Sequence, residues 1–393
     1  MGKNIVILFD GTSNQISENR TNILRLYGAL EKSERQLVFY DPGVGTLGVA
    51  DSWGRLWPRC VEIWGLVTGW GMDGNVKQAY RFLVENYERG AGGGDRDRIY
   101  LFGFSRGAYT ARVLAGLINA VGLIEPRNLN LLDYVYRAYK LVGSRQPPDS
   151  DAPPAAADFA EVRLYERVLR PDRPPIRLLG LFDTVASVIE SGPWGPRLRS
   201  HAYTRRNPSV EMVRHAVAMD ERRTMFSPQL WPAGEDYWGG PFKGIDPRPQ
   251  DVREVWFAGV HGDVGGGYPE AESGLCKVPL AWMIEQTRST GLHYVTQTVN
   301  SVVLGKRKDT HYVPPAPLAQ PHRSMKAFWP LCEFLPRRRS RLSKRRALCG
   351  WTLPLYERRT IPPGSVIHRS VIARIVASGA KPANLPDEHG VDP

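Results

Sequence analysis

The sequence has few cysteines and no long apolar run, and both absences exclude classes of protein. Its four cysteines form no C-x-x-C pair and no metal-ligand spacing, which argues against a disulfide scaffold or a zinc ribbon. The longest strongly apolar run, residues 113–124, is well short of the roughly 20 residues that a helix needs to cross a bilayer. The apolar residues between Lys3 and Asp10 are too few for the core of a secretory signal. We therefore expect a protein made in the cytoplasm, with no structural metal.

Basic residues are in excess, and the excess is confined to one part of the chain. The 393 residues include 52 Lys and Arg against 40 Asp and Glu, for a formal net charge of +12. Residues 301–393 hold 17 of the basic residues and 6 of the acidic ones, so the first 300 residues are nearly neutral. Hydrophobic residues make up 42% of the chain, which excludes wholesale disorder. We predict a catalytic domain at residues 1–304 and a Pro-rich, basic C-terminal extension at residues 305–393.

The first 300 residues alternate short apolar strands with longer helical patterns. This alternation is typical of an α/β fold with a mostly parallel sheet flanked by helices. Continuous apolar runs predict strands at residues 4–9, 36–40, 98–102, 176–182 and 254–260. Helical periodicity predicts helices at residues 73–89, 106–120, 129–141, 159–169, 210–219 and 278–288.

Two stretches, at about residues 125–175 and 190–250, interrupt this alternation and are rich in Pro, Ala, Gly or Trp. Long connections of this kind commonly carry lids and binding loops. We expect both to be insertions over one end of the sheet. The tryptophans of the second, Trp194, Trp231 and Trp238, would then line a lid or a wall for an acyl chain.

The strongest local motif is G-x-S-x-G at residues 103–107, between a predicted strand and a predicted helix. A nucleophile elbow needs this setting, because its serine occupies a strained turn. Ser105 would be the nucleophile, and Gly103 and Gly107 would let the strand and the helix approach closely. The backbone N–H of Arg106 would be half of an oxyanion hole. The alternative is an ordinary serine in a glycine-rich turn.

A serine nucleophile needs a base and a group that orients the base. With this motif the chain order is serine, acid, histidine. Asp183 and His261 each follow a predicted strand. In parallel sheets, binding and catalytic sites usually lie at the edge formed by the carboxyl ends of the strands. Asp183 could instead cap a helix, and His261 could be a structural turn residue. Asp263 competes for the acid role, but its position favours bracing the glycine loop that follows His261.

The N-terminal sequence D-G-T, at residues 10–12, suggests a second chemistry. In haloacid-dehalogenase-type phosphotransferases the nucleophilic aspartate lies two residues before the first residue of this motif. Leu8 occupies that position here, which excludes the reaction. We instead predict that Gly11 or Thr12 supplies the second N–H of the oxyanion hole, while Asp10 holds the loop in shape.

Four motifs occur in order: F-D-G-T-x-N, G-F-S-R-G-A-Y-T-A-R, L-F-D-T-V and H-x-D-V-G-G-G-Y. Together they resemble the Tle1-like α/β-hydrolase domain of type VI secretion phospholipase effectors. The resemblance implies an esterase of phospholipase A type, with Ser105, Asp183 and His261 as nucleophile, acid and base and no cofactor. It also implies export by a secretion system that reads no signal peptide, and a secretion spike or an immunity protein as partners.

The C-terminal extension combines an apolar segment, residues 325–335, with a polybasic run at residues 337–346. This combination suits an interfacial anchor on anionic lipid. The candidate membrane contacts are Phe328, Trp329, Arg337, Arg338 and Arg339. A solvated charged loop is the alternative. Nucleic-acid binding is less favoured, because no recognised nucleic-acid-binding fold accompanies the charge.

The sequence therefore predicts a serine hydrolase that cleaves carboxylic esters of lipids through an acyl-serine intermediate. Two other functions stay open at this point. One is an esterase or thioesterase that acts on soluble acyl substrates with the same triad. The other is a non-catalytic binding protein on a hydrolase scaffold.

Overall fold

An eight-stranded, wholly parallel sheet organises the chain in this computed structural model. The structure describes residues 2–11, 19–43, 71–90, 95–144, 154–185, 189–192, 195–198, 201–240, 242, 247–307, 311–325, 329–348 and 350–392. The strands of the sheet are β1 Asn4–Phe9, β2 Gln36–Asp41, β3 Arg98–Phe104, β4 Ile176–Phe182, β5 Val210–Ala218, β6 Asp251–Phe257, β7 Val366–His368 and β8 Gly390–Asp392. Their spatial order is β8-β7-β6-β5-β4-β3-β1-β2.

Helices cover both faces of this sheet. They are α1 Asn22–Ala29, α2 Met72–Asn86, α3 Arg106–Ala120, α4 Leu132–Ser144, α5 Ala160–Leu169, α6 His261–Gly265, α7 Lys277–Arg288 and α8 Arg369–Ser378. Shorter helical turns lie at Pro126–Leu131, Ala156–Phe159, Thr224–Phe226, Glu270–Glu272, Thr296–Thr298, Val299–Val303 and Trp329–Cys332. Three two-stranded hairpins pair Ile189–Gly192 with Gly195–Leu198, Asp236–Tyr237 with Arg248–Pro249, and Arg337–Arg338 with Trp351–Thr352. The predicted α/β fold, a mostly parallel sheet flanked by helices, is confirmed.

The alternation of side chains along β1 shows why the sheet is buried on both faces. Ile5, Ile7 and Phe9 pack into a core with α2, α3 and α4. Val6 and Leu8 point the other way, into a second core with α1 and α7. A strand that is buried on both faces has a continuous apolar sequence. The bounds of β1 could therefore be predicted from the sequence.

The predicted helix at residues 210–219 is wrong, because these residues form β5 at the centre of the sheet. The pattern V-E-M-V-R-H-A-V-A matches a helical period as well as a buried strand, and periodicity alone does not separate the two. Pairing with β4 on one side and β6 on the other decides for the strand. His215 is therefore a core residue of β5, and its Nδ1 lies 2.8 Å from Glu254 Oε2.

The C-terminal part of the chain is built into the same sheet. β7 pairs with β6, and β8 pairs with β7, so residues 366–392 extend one edge of the sheet. The end of the sheet thus does not coincide with the predicted domain boundary after residue 304. Across the described ranges, no helix is both long and apolar enough to span a membrane.

The predicted lid tryptophans have different surroundings. Trp231 is buried, and its Nε1 donates to Gln250 Oε1 at 2.8 Å. Trp238 is partly buried, and its backbone N–H donates to Pro208 O. Trp194 lies outside the described residues. The role of these side chains against an acyl chain stays a prediction.

Candidate active site

Ser105 occupies a strained turn between β3 and α3. Its φ of 59° and ψ of −121° lie outside the conformations that non-glycine residues commonly adopt. The backbone holds it there: the N–H donates to Phe182 O at 3.0 Å, and its carbonyl accepts from Tyr109 N and Val185 N, each at 3.3 Å. This geometry presents the hydroxyl at the carboxyl edge of the sheet, as a nucleophile elbow requires.

The glycines of the motif allow a very close approach of backbones. A Cβ on Gly103 would lie 2.4 Å from Gly107 O, within the turn itself. A Cβ on Gly107 would lie 2.3 Å from both Phe9 O, at the end of β1, and Asp10 O, which follows it. Both distances are far below van der Waals contact, and the neighbouring atoms are backbone atoms that cannot rotate away. The G-x-S-x-G pattern is therefore a packing requirement as well as a chemical signature.

This packing makes a stability prediction. Replacing Gly107 with alanine should lower the free energy of unfolding by about 3 kcal/mol or more, because overpacking against backbone forces the loop to move. The measurement is the midpoint of thermal denaturation, followed by circular dichroism. Gly74→Ala in α2 is the matched control, since its Cβ would meet nothing within 4 Å. That control should be neutral or stabilising by about 0.5–1 kcal/mol. Equal midpoints for the two variants would contradict the prediction.

His261 connects Ser105 to Asp183. Its Nε2 lies 2.8 Å from Ser105 Oγ, and its Nδ1 lies 2.5 Å from Asp183 Oδ2. Asp183 directly follows β4, and His261 begins α6 just after β6, so both come from the same edge of the sheet as Ser105. Phe104 and Phe226 flank the imidazole, with ring centroids at 4.7 Å and 4.9 Å. The structure thus brings together the three residues that the sequence singled out.

Asp183 is fully buried and held by several donors. Its φ of 42° places it in the left-handed region, and its N–H donates to Ala216 O at 2.7 Å. Oδ1 accepts from the Ala218 N–H at 3.0 Å and from Arg359 Nη1 at 2.6 Å, while Oδ2 accepts from Arg359 Nη2 at 2.9 Å. These partners lie on β5 and in the C-terminal part of the chain, which is not the pattern of a helix cap.

The protonation of the site follows from burial and charge. Burial alone would raise the pKa of Asp183, but the Arg359 charge and the His261 contact outweigh it and hold that pKa well below the usual range. Burial lowers the pKa of His261, and this effect exceeds the opposing effect of Asp183. The site therefore contains an ionised carboxylate beside a neutral imidazole at neutral pH, which is the state that a general base needs.

Asp10 holds the loop that follows β1. Its Oδ1 accepts from the Gly11 N–H at 2.6 Å, and its Oδ2 accepts from Thr21 Oγ1 at 2.5 Å and from the Tyr40 hydroxyl at 2.8 Å. The Gly11 N–H is thus engaged by Asp10 in this structure. Thr12, the alternative oxyanion donor, lies outside the described residues.

Asp263 bonds with His322 rather than with the imidazole of His261. His322 Nδ1 lies 2.6 Å from Asp263 Oδ1, and the His322 N–H donates to Asp263 Oδ2 at 3.0 Å. The Val260 N–H donates to the same oxygen at 2.9 Å. The ring of Tyr268 stacks on His322 with centroids 3.6 Å apart. These contacts join Asp263, beside the glycine loop, to the described segment 311–325, and the bracing role of Asp263 stays a prediction.

Comparison with known proteins identifies the family. Residues 3–286 match the sequence model of the type VI secretion system phospholipase effector Tle1-like catalytic domain. The chain belongs to this family. An uncharacterized protein of Saccharomyces cerevisiae, YEL023C, is 36% identical over 233 residues, which cover 57% of this chain. The chain spans 32% of the length of that curated relative.

Two solved structures are distant neighbours of this Tle1-like domain. One is a crystal structure of an uncharacterized protein from Pseudomonas aeruginosa, with 18% identity and a TM-score of 0.39, covering 76% of this chain and 47% of that chain. The other is the Tle1 effector bound to the VgrG spike from the type VI secretion system. It shows 18% identity and a TM-score of 0.35, covering 70% of this chain and 53% of that chain.

Sequence reasoning missed three charged residues of the Tle1-like site, Glu221, Arg223 and Arg359. Glu221 Oε2 accepts from the His261 N–H at 3.1 Å, and Arg223 Nη2 donates to the same oxygen at 2.9 Å. Glu221 follows β5, so recognising that strand would have placed this carboxylate at the edge of the sheet. Arg359 lies beyond the matched residues, and no local motif marks it.

One of the predicted membrane contacts, Trp329, adjoins the site. Trp329 is partly buried, and its ring lies 5.6 Å from that of Phe226, which in turn packs on His261. Arg339 is exposed. Phe328 and the side chains of Arg337 and Arg338 lie outside the described part of the molecule.

Proposed function

We propose that this chain is a serine hydrolase that cleaves carboxylic esters of lipids, in the manner of a phospholipase A. The observation that carries the proposal is the hydrogen-bonded series Ser105–His261–Asp183, in a chain that belongs to a family of phospholipase catalytic domains. Lipid, rather than another acyl ester, is proposed because the family is one of phospholipases. The acyl-serine route is proposed because the three side chains have the contacts that it requires.

The first half of the reaction forms the acyl-enzyme. His261 Nε2 takes the proton of the Ser105 hydroxyl as Oγ attacks the ester carbonyl carbon, and the carbonyl oxygen becomes an oxyanion. Asp183 keeps the Nδ1–H of His261 in place and stabilises the imidazolium. When the tetrahedral intermediate collapses, the bond to the leaving alkoxide breaks, and His261 gives its proton to that alkoxide. Ser105 then carries the acyl group.

The second half returns the enzyme to its starting state. His261 removes a proton from water, which attacks the acyl carbon and forms a second tetrahedral intermediate. Its collapse breaks the bond to Ser105 Oγ, which regains a proton from His261, and the fatty acid leaves. We propose Arg106 N–H as one oxyanion donor, since it begins α3 and the helix dipole there favours negative charge. Because the Gly11 N–H donates to Asp10, we propose the Thr12 N–H as the second donor.

The experiment that tests this function measures fatty-acid release from defined phospholipids. Release of free fatty acid and a lysophospholipid is the expected result. Labelling of Ser105 by a fluorophosphonate tests the nucleophile separately. Hydrolysis of soluble esters alone would refute the lipid proposal and support the esterase alternative. Failure of the folded protein both to take the label and to turn over any ester would show a binding protein on a hydrolase scaffold.

The proposed base makes a prediction about pH. Because the pKa of His261 is lowered from its ordinary value of 6.5, kcat/KM should rise with pH through an apparent pKa below 6.5. The charged groups that face the imidazole are Asp183, Glu221 and Arg223. The measurement is the pH profile of kcat/KM on an uncharged ester. His311 is exposed, and His311→Gln is the control, which should leave the rise of kcat/KM at acid pH (the acid limb) unchanged. An apparent pKa of 6.5 or above for this rise would contradict the prediction.

We further propose that the enzyme docks on anionic lipid through an apolar–basic surface. Its exposed apolar members are Leu331, Phe334, Leu335, Leu348, Trp351 and Leu353, and its exposed cations are Arg339, Arg341, Lys344 and Arg346. One groove places several of them side by side, being lined by Arg346, Leu348, Trp351 and Leu353 among others. A surface that combines exposed apolar side chains with cations complements an anionic bilayer. Trp329 joins this surface to Phe226 and His261, so docking would bring the site to its substrate.

Export as a type VI secretion effector is a separate proposal, and it rests on the family name alone. The expected partners are a secretion spike and an immunity protein. Affinity capture from the source organism tests this proposal, and recovery of neither partner would count against it. The hydrolase proposal does not depend on the result, since it rests on the contacts of Ser105, His261 and Asp183.

A further inference from the structure

Arg359 reaches the site from a part of the chain that the family match does not include. The match ends at residue 286, and Arg359 lies in the segment before β7. Its side chain is only 5% exposed. The neighbouring backbone is anchored, because Asn384 Nδ2 donates to Arg359 O at 3.1 Å and to Met219 O at 2.8 Å. Such burial of a guanidinium requires compensating partners.

The guanidinium donates hydrogen bonds to both carboxylate oxygens of Asp183. Nη1 donates to Oδ1 at 2.6 Å and Nη2 to Oδ2 at 2.9 Å, which is the bidentate geometry of an arginine–carboxylate pair. The same two nitrogens also donate to Ala218 O at 2.6 Å and to Phe226 O at 2.5 Å. Arg359 therefore links the carboxylate to the end of β5 and to the turn that packs on His261. The planar fork fixes the rotation of the carboxylate, which a lysine could not do.

We propose that Arg359 is a positioning residue, which holds the Asp183 carboxylate in the orientation that His261 needs and makes the C-terminal segment part of the catalytic site. The proposal rests on the proposed hydrolase function. Asp183 Oδ2 is shared between His261 and Arg359, so a carboxylate freed from Arg359 could turn away from the imidazole. A misplacement of about 1 Å in such a group costs about 100-fold in rate.

The orientation of Asp183 also sets the sign of an expected pH effect. The hydrogen bond and the charge of Asp183 raise the pKa of His261 against the opposing effect of burial. A carboxylate that has turned away in Arg359→Ala no longer makes that hydrogen bond, so the acid limb of kcat/KM should move to lower pH. Glu221 and Arg223 face His261, and His215 lies near Asp183, and none of these changes in the variant. A purely structural role would not move the acid limb.

The experiment compares Arg359→Ala and Arg359→Lys with Arg358→Gln, a substitution of the neighbouring exposed arginine. Kinetics use a soluble ester, so that lipid docking does not enter. We expect kcat to fall about 10- to 100-fold in both Arg359 variants with KM unchanged, and the acid limb of kcat/KM to move to lower pH in Arg359→Ala. Millimolar guanidinium, but not urea, should restore kcat in Arg359→Ala. Arg358→Gln should match the wild type.

A second readout needs no turnover. The proton on His261 Nδ1, hydrogen-bonded to Asp183, should give a far-downfield proton NMR resonance in the wild type and in Arg358→Gln. We expect Arg359→Ala to lose it and guanidinium to restore it. If the resonance and kcat are both unchanged in Arg359→Ala, the proposal is overturned. It is also overturned if Arg359→Ala loses kcat and the resonance, guanidinium restores neither, and Arg359→Lys has the kcat and resonance of the wild type. If the wild type hydrolyses no ester while the resonance still responds to Arg359, the hydrolase function fails and the positioning of Asp183 stands.

Discussion

Replacing Ser105 with alanine should lower kcat for ester hydrolysis by about 10⁶-fold. The reason is that the acyl-serine route disappears with its nucleophile, and only the residual catalysis by the oxyanion donors and by binding remains. KM should stay close to that of the wild type, since the hydroxyl is small and makes its main contact with His261 Nε2 at 2.8 Å. The measurement is fatty-acid release from defined phospholipids at enzyme concentrations high enough to detect the residual rate.

Ser144→Ala is the matched control for this substitution. Ser144 ends α4, and its exposed hydroxyl donates only to the local Leu141 carbonyl. It should release fatty acid at the wild-type rate. Both variants should denature at the same temperature as the wild type. A Ser105→Ala enzyme that retains a tenth or more of the wild-type rate would refute Ser105 as the nucleophile.

Neutralising the four exposed cations of the apolar–basic surface should weaken binding to anionic vesicles by about 10³-fold. The substitutions change Arg339, Arg341, Lys344 and Arg346 to glutamine. Each near-surface cation contributes about 1 kcal/mol on an anionic bilayer, so four contribute about 4 kcal/mol. The measurement is co-sedimentation with vesicles that contain phosphatidylserine, at physiological ionic strength. Hydrolysis of a soluble ester should be unchanged, because these side chains are not in contact with the triad.

The control removes four positive charges elsewhere. Arg81, Arg137, Arg163 and Arg167 are exposed on α2, α4 and α5, and their change to glutamine alters the net charge by the same amount. This variant should bind the vesicles as the wild type does. Equal loss of vesicle binding in the two variants would show a general effect of net charge. Unchanged vesicle binding in the variant of Arg339, Arg341, Lys344 and Arg346 would refute the role of this surface in lipid docking.

Local patterns predicted the elements that carry the proposed nucleophile and acid. The bounds of β1, β4 and α3 agree with the predictions at residues 4–9, 176–182 and 106–120. These segments are unambiguous, since two are continuous apolar runs and the third follows a glycine-flanked turn. Helix α2 was predicted three residues too long at its C-terminus, which is the usual uncertainty at a frayed end.

Other parts of the site had no local signal. Residues 210–218 fit a helix and a strand equally well, and only pairing with both neighbours makes them β5. That one error hid Glu221, because its position at the end of a strand was not visible. The association of Asp263 with His322 joins residues 59 apart in sequence, and neither is predictable from the other.

The sequence by itself determined which residues could serve as nucleophile, acid and base in the proposed reaction. G-x-S-x-G, the aspartate after β4 and the histidine after β6 are each short-range patterns, because steric fit at a turn and the end of an apolar run are local properties. The tertiary structure alone decided whether these groups meet and what holds them. Arg359 contacts an aspartate 176 residues earlier in the chain, and a contact of that range depends on how β4, β5 and the C-terminal segment pack. Long-range packing is the result of the whole fold, so no local pattern records it.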